Sequence, residues 1–147
     1  MALPTGSGTE TLHTHTFEDV DATQSLIVGV QHHVYTVLSV IVYCAALHAT
    51  HDTGRIFMVG YDNHGGVSGA NMEVALFNLP ASETFVWNDK FSFNGYEPTG
   101  TDVFSTAAHQ TANAAQAGGT AQYLKFAQTH VNDNFDVTVT FLDQDWS

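Results

Sequence analysis

The sequence predicts an all-β chain, an antiparallel β-sandwich of jelly-roll type. Short segments rich in Val, Ile, Phe, Tyr and Thr alternate along its 147 residues with turns rich in Gly, Pro, Asn and Asp. Near the end, Phe135, Val137, Val139 and Phe141 alternate with polar residues. This period of two is typical of a strand with one buried face.

The length fits a single domain with a core of its own. Residues 1–8, MALPTGSG, contain Pro and Gly and little that could be buried. We therefore expect an arm over residues 1–8 and one β-sandwich domain over residues 9–147.

Five strands are predicted in the first half of the chain. They are residues 9–17, 25–30, 33–50, 55–62 and 72–80. The segments 33–50 and 55–62 are apolar at odd and even positions alike, which predicts strands covered on both faces. A Gly-rich loop at 63–71 separates the last two strands.

The second half begins with two aromatic segments in residues 84–93, joined by Asn88 and Asp89. Two polar residues between strand-like segments predict a β-hairpin. Turn residues fill 94–100. Residues 123–130 are expected to form a strand that pairs with the final one.

Residues 103–121 break the strand pattern. Small and apolar residues recur there at helical spacing, and Gly118 and Gly119 follow as a stop signal. The segment predicts either one short helix near residues 104–117 or a long loop. It could serve as a contact-making insertion or as an ordinary surface loop.

Charged residues are few, and most of them are acidic. Only 12% of residues are charged, Arg55, Lys90 and Lys125 are the strong bases, and the net charge is −12. With no basic cluster, nucleic-acid binding is not expected. A weakly charged polar surface favours a protein packed against copies of itself or a larger assembly; the alternative is a monomer from a salty habitat.

Membrane insertion and disulfide bonding are not predicted. Residues 22–51 carry no Asp, Glu, Lys or Arg, but Gln31, His32 and His33 split the apolar run. Its Val, Ile and Tyr content favours strands over a spanning helix.

Cys44 is the only cysteine and is expected to be a small buried hydrophobe. Because no signal peptide is recognisable, we expect synthesis and assembly in a cytosol.

The order of the segments resembles that of small tailed-bacteriophage virion proteins. The shared elements are YTV at 35–37, LPASE at 79–83, NDK at 88–90 and NG at 94–95, followed by a final strand that alternates Val with polar residues. The resemblance covers about residues 25–143.

This resemblance implies a β-sandwich virion protein of the capsid decoration (cement), fibre or tail type. Such proteins commonly form trimers and have no catalytic residues. Val30 to His33 depart from the family, which often has Pro-Ala-Gly at that turn.

From the resemblance and the low charge we predict a structural, non-enzymatic protein of the virion, assembled in the host cytoplasm. Capsid decoration is the leading role, with other subunits and the major capsid protein as partners. One alternative is a fibre domain that binds a host receptor or glycan; another is a small cupin-like metalloprotein. No cofactor, metal or catalytic residue is predicted.

The stretch TLHTHTFEDV (11–20) is the strongest chemical motif. His13 and His15 share one face of a strand, where two imidazoles can chelate one ion. Cupins use a similar pattern, but here the spacings are shorter, Glu18 has the opposite parity and Ser25 replaces a glycine.

Two non-cupin interpretations of this motif remain. Some phage spikes bind iron on a three-fold axis through a His-x-His of each chain. The alternative that we favour is a structural strand whose Thr and His side chains contact solvent or another subunit.

The remaining candidates have weaker signals. The other histidines are His32, His33, His48, His51, His64, His109 and His130. They have no ligand-like spacing, although they allow an acid-sensitive interface. The pairs Asp19 with Asp21 and Asp143 with Asp145 are interpreted as solvated loop or terminal residues.

Two further groups of residues are weaker candidates for ligand binding. Asp62, Asn63, Gly65 and Gly66 suggest calcium but lack EF-hand spacing. Trp87, Tyr96 and Trp146 could stack on sugars if exposed, whereas aromatic residues at strand spacing more often belong to a core. Trp146 could instead dock into a neighbouring subunit.

Overall fold

The structure, a computed structural model, describes residues 9–48, 52–60, 69–97 and 106–146. These contain eleven strands and one helix. The strands are β1 (Thr9–Val20), β2 (Gln24–Val28), β3 (His33–Ala46), β4 (Asp52–Gly60), β5 (Ala70–Leu79), β6 (Thr84–Trp87), β7 (Phe91–Asn94), β8 (Tyr96–Glu97), β9 (Thr120–Ala121), β10 (Tyr123–Gln128) and β11 (Asn134–Asp145). The helix is α1 (Ala107–Ala114).

Two antiparallel sheets pack as a sandwich. Sheet A has the order β1-β11-β3-β6, with β7 also paired to β3, and sheet B has the order β2-β10-β4-β5. We count β6 and β7 as one interrupted strand. Along the chain, the long strands then alternate between sheet A and sheet B, except that β4 and β5 both lie in sheet B. This exchange between two four-stranded sheets is the jelly-roll order, so the predicted fold class is confirmed.

The core lies between the sheets. Phe135, Val137 and Val139 are completely buried, as the alternating pattern predicted. Phe126 of β10 meets Phe135 of β11 edge to face, with ring centroids 5.3 Å apart. This aromatic contact joins the two sheets near the start of β11.

The predicted pairing of residues 123–130 with the final strand is wrong. Strand β10 pairs with β2 and β4 in sheet B, whereas β11 pairs with β1 and β3 in sheet A. The chain between them forms an arch in which the completely buried carboxylate of Asp133 accepts the backbone N–H groups of His48 and His130. These bonds direct the chain across the core instead of into a hairpin.

The predicted hairpin at 84–93 is also wrong. Strands β6 and β7 both pair with β3, with Trp87 opposite Val40 and Phe91 opposite Val37. The chain therefore runs on in one direction along β3, and residues 88–90 form an interruption. The long apolar partner strand decides the path, because the Asn-Asp turn signal is weak.

The two strands predicted to be covered on both faces differ in the burial of their outward side chains. In β4 the outward Phe57 and Val59 are buried, which agrees with the prediction. In β3 the outward Ile41 and Tyr43 are 40% and 38% exposed, so coverage of both faces is wrong there. Val, Ile and Tyr favour strands whether or not their outer face is covered.

The short helix is confirmed. It begins after Thr106, whose hydroxyl accepts the backbone N–H of His109 as an N-cap. It ends at Ala114, shortly before Gly118 and Gly119, and none of its residues is buried.

Several predictions fall outside the described residues. They concern the arm at 1–8, His51, His64 and the candidate calcium loop with Asp62, Asn63, Gly65 and Gly66. Within the described part of the chain, no helix has the length and apolar character needed to cross a bilayer.

Candidate functional site

One end of sheet A changes from apolar to polar on its inward face. Asp143 lies opposite Tyr35, and Asp145 lies opposite His33, in the β11–β3 register. Because directly paired residues share a face, both carboxylates point toward the space between the sheets. The interpretation of Asp143 as a solvated terminal residue is therefore wrong, since its side chain is 17% exposed, whereas the Asp145 side chain is 40% exposed.

His33 lies between these carboxylates. Its Nδ1 is 2.7 Å from Asp143 Oδ1, and its Nε2 is 3.5 Å from Asp145 Oδ1. The side chains of His33 and Asp143 are only 18% and 17% exposed, so this pair is largely shielded from water. Both imidazole nitrogens therefore face carboxylates.

His13 and His15 line the same space, in agreement with their predicted common face. The ring of His13 stacks on Phe141 at 5.2 Å, and that of His15 meets Phe141 edge-on at 5.1 Å. His13 Nε2 is 4.0 Å from Asp143 Oδ2, which is beyond hydrogen-bonding distance. Glu18 is exposed and does not line this space.

A cleft of about 370 Å³ opens here, and we call it the β1–β2 cleft. It is lined by His13, His15, Phe17, Ser25, Leu26, Ile27, Val28, Val30, Tyr35, Phe141 and Asp143. Strand β2 forms its apolar wall, and Asp143 with His13 forms its polar end. The volume is at the lower end of the range for ligand sites.

Tyr35 closes the floor of the cleft. Its hydroxyl oxygen accepts the backbone N–H of Val30 at 3.1 Å, and the residue is 3% exposed. Burial raises the pKa of Tyr35 to about 12, with the nearby Asp143 and Asp145 charges adding to the effect. The phenol is therefore neutral at physiological pH and acts as a hydrogen-bonding support.

The described residues offer no arrangement of three or more His, Cys, Asp and Glu side chains that could hold a metal ion. His13 and His15 meet ring edge to ring face, with centroids 5.6 Å apart. The predicted absence of enzymatic activity and of cofactors stays a prediction.

A second histidine cluster lies at the β10–β11 arch. The rings of His48 and His130 stack with centroids 3.7 Å apart, and His48 Nδ1 is 3.5 Å from Asp52 Oδ2. The spacing of histidines along the sequence could not reveal this cluster, because the arch brings together residues that are far apart in the chain. The completely buried Asp133 holds both segments in place.

The aromatic candidates for sugar binding lie on three different elements. Trp87 is in β6 and packs against the core, Tyr96 is in β8, and Trp146 follows β11 with 51% exposure. They do not form one stacking platform. Trp146 is the one of the three that presents a large exposed surface.

The outward side of sheet A carries a group of uncharged residues that we call the Thr face, with Asp136 at its margin. It comprises Thr14, Thr16, Thr36, Ser39, Ile41, Tyr43, Thr84, Val86, Ser92, Thr138 and Thr140. Its hydroxyls pair with one another across strands, Thr14 with Thr140 at 3.2 Å and Thr16 with Thr138 at 3.1 Å. The exposed Val86 adds an apolar component.

Together these features define an antiparallel jelly-roll domain with a polar-ended cleft and an uncharged sheet face. No family model matches the chain, and no curated protein matches it. Among solved structures, it is similar to a chain of Bacillus endospore appendages, described as a family of disulfide-linked pili. The two are 8% identical, the match covers 96% of this chain and 90% of that chain, and the TM-score is 0.42. At that TM-score the likeness carries no inference about function.

Proposed function

We propose that this chain is a structural protein of a tailed-phage virion that decorates the capsid and attaches through the Thr face. The observation that carries the proposal is an uncharged sheet face on a chain of net charge −12. The resemblance of residues 25–143 to phage virion proteins supports the same role.

Electrostatics favours the Thr face for attachment. A chain with 15 acidic and three basic residues repels further copies of itself wherever carboxylates meet. Glu10 lies near the end of β1, and Asp136 lies opposite Tyr43 at the margin of the Thr face. Contact through the uncharged residues of the face therefore reduces like-charge repulsion.

Desolvation also favours this face. Burying a hydroxyl without a hydrogen bond costs about 1–3 kcal/mol in proteins. The hydroxyls of Thr14 and Thr16 already pair with Thr140 and Thr138, and that of Thr36 pairs with Ser92 at 2.9 Å. A partner can thus cover them at a lower cost than unpaired hydroxyls would impose.

The size of the face indicates weak individual contacts. Four strands about 4.8 Å apart, each presenting about 20 Å, give an area of about 400 Å². A standard interface buries ~800 Å² on each partner. Stable attachment therefore calls for several linked subunits, and we propose a trimer that gains affinity through multivalency.

Quantitative mass spectrometry of purified particles tests the role. Decoration requires copies in proportion to the capsid lattice, comparable to the major capsid protein. A copy number of a few per particle would refute decoration and favour a receptor- or glycan-binding fibre instead.

A matched pair of variants tests the surface. Ile41→Glu places a charge on the Thr face, and Leu76→Glu places one on the exposed outer side of β5, where Leu76 is 65% exposed. We expect Ile41→Glu to abolish incorporation into particles and Leu76→Glu to leave it unchanged. Equal incorporation of both variants would exclude the Thr face as the attachment surface.

A further inference from the structure

We propose that the β1–β2 cleft is a docking site for an extended segment of a partner protein that carries Lys or Arg beside aliphatic side chains. The segment would add a strand to the free edge of β1. This inference concerns a different surface from the Thr face and does not depend on the decoration role.

The backbone supplies the first part of the site. Strand β1 is terminal in sheet A and pairs only with β11 among the described strands. It runs for 12 residues and contains neither Lys nor Pro. Exposed edges of this kind are templates for another strand, and Lys, Pro or bulges usually block them. The bulge between Phe17 and Val20 affects only the far end of the edge.

The cleft supplies the second part. A strand added beside β1 would direct alternate side chains inward, over the apolar wall formed by Leu26, Ile27 and Val28. In strand addition, main-chain hydrogen bonds provide affinity and pockets for alternate side chains provide specificity. The wall therefore selects aliphatic residues at every second position.

Charge complementarity supplies the third part and defines the partner. Asp143 places a carboxylate in the polar end of the cleft, and Asp145 is the next inward residue of β11, on the other side of the His33 ring. None of the described residues that line the cleft is Lys or Arg. Asp143 Oδ2 faces the cleft with His13 Nε2 4.0 Å away. Because β11 lies two strands from the added one, about 9–10 Å away, only the long stem of Lys or Arg reaches this carboxylate.

Fluorescence anisotropy of a labelled peptide tests the inference. The probe is a blocked peptide of sequence Thr-Lys-Thr-Val-Thr-Val-Thr-Lys, whose lysines and valines share one face of an extended strand. It is compared at pH 7.5 with the same peptide carrying Gln in place of both lysines. We expect the Lys peptide to bind the wild-type chain at least about tenfold more tightly, the value of one charge-assisted hydrogen bond.

Two carboxamide variants serve as a matched pair on the same strand. Asp143→Asn should remove the preference for Lys, whereas Asp136→Asn, on the outward side of β11, should keep it. If Asp143→Asn fails to fold, Asp145→Asn replaces it with the same expectation of a weakened preference. A Lys preference that survives at both inward positions would overturn the charge assignment.

Amide chemical shifts separate strand addition from capture of a simple amine. We expect the Lys peptide to shift the amides of β1, and n-butylammonium to leave the bound peptide in place because it has no backbone. Displacement of the peptide by n-butylammonium at similar concentration, or shifts confined to residues outside β1 and β2, would overturn strand addition.

Discussion

At the polar end of sheet A, burial sets the protonation state of an individual side chain. Tyr35 is held as a neutral phenol by burial and by two flanking carboxylates, Asp143 and Asp145. Its folded pKa of about 12 lies above the ordinary value of 10.0. The unfolded chain therefore loses this proton first as the pH rises.

The free energy of unfolding should consequently fall between pH 10 and pH 12. A rise of the pKa from 10.0 to about 12 stabilises the folded state by roughly 2–3 kcal/mol. This stabilisation is fully present below pH 10 and is lost by about pH 12. Tyr35→Phe should reduce this alkaline loss, and at pH 7 it should cost about 1–3 kcal/mol because the Val30 N–H loses its acceptor.

Urea denaturation at a series of pH values measures both effects. Tyr43→Phe is the control, because Tyr43 lies on the outward side of the same strand and is 38% exposed. An alkaline loss of the same size in wild type and Tyr35→Phe would contradict the role of Tyr35.

Cys44 gives a second prediction at this scale. The residue is completely buried, and burial, followed by the Asp133 charge, raises the pKa of its thiol. Since the thiolate is the reactive form, a thiol reagent should modify Cys44 far more slowly in the folded chain than in urea. Equal rates in both conditions, measured by mass spectrometry, would contradict its burial.

At the scale of elements, close backbone approaches fix the joints between strands. Gly95 lies against the turn after β2, where a Cβ atom would come within 2.0 Å of the Val30 carbonyl oxygen. Its N–H donates to the His33 carbonyl, and its own carbonyl accepts the N–H of Gln122. This junction supports the turn that bounds the β1–β2 cleft.

Gly95→Ala should therefore lower the free energy of unfolding by about 1–3 kcal/mol, the usual cost of overpacking. Gly60→Ala is the matched control, because among the described residues its added Cβ would meet the Gln122 side chain alone, at 3.4 Å. Chemical denaturation measures the difference between them. Similar losses in both variants would show that the backbone contact at Gly95 does not limit stability.

At the scale of the whole molecule, charge repulsion opposes the compact state. With 15 acidic against three basic residues, the folded chain concentrates negative charge in a small volume. Among the described pairs, the contact of Arg55 with Glu73 at 2.7 Å joins side chains that are 37% and 43% exposed, so it offsets little of this repulsion.

Added salt should therefore stabilise the fold. Raising NaCl from about 0.01 M to 0.15 M shortens the screening length from about 30 Å to 8 Å, which weakens repulsion across the domain. We expect the Tm to rise over this range in differential scanning calorimetry. A Tm that falls with salt would show that favourable ion pairs outweigh the repulsion.

Much of the secondary structure was predictable because its sequence signals are local. The alternation of Phe135, Val137 and Val139 with polar residues identified the buried face of the last strand, and small residues with a glycine stop identified the helix. These signals lie within one segment, where the side-chain period and the intrinsic propensities act. The common face of His13 and His15 followed from the same parity.

The sequence by itself determined which segments form strands, which side of the last strand is buried, and that Cys44 has no partner within the chain. Only the tertiary structure decided that β6 and β7 share β3, that β10 crosses to the other sheet, and that His33 lies between Asp143 and Asp145. The physical reason is that strand pairing and register are long-range. Strands β3 and β11 come together across about a hundred residues, and no local pattern specifies the partner or the register that results.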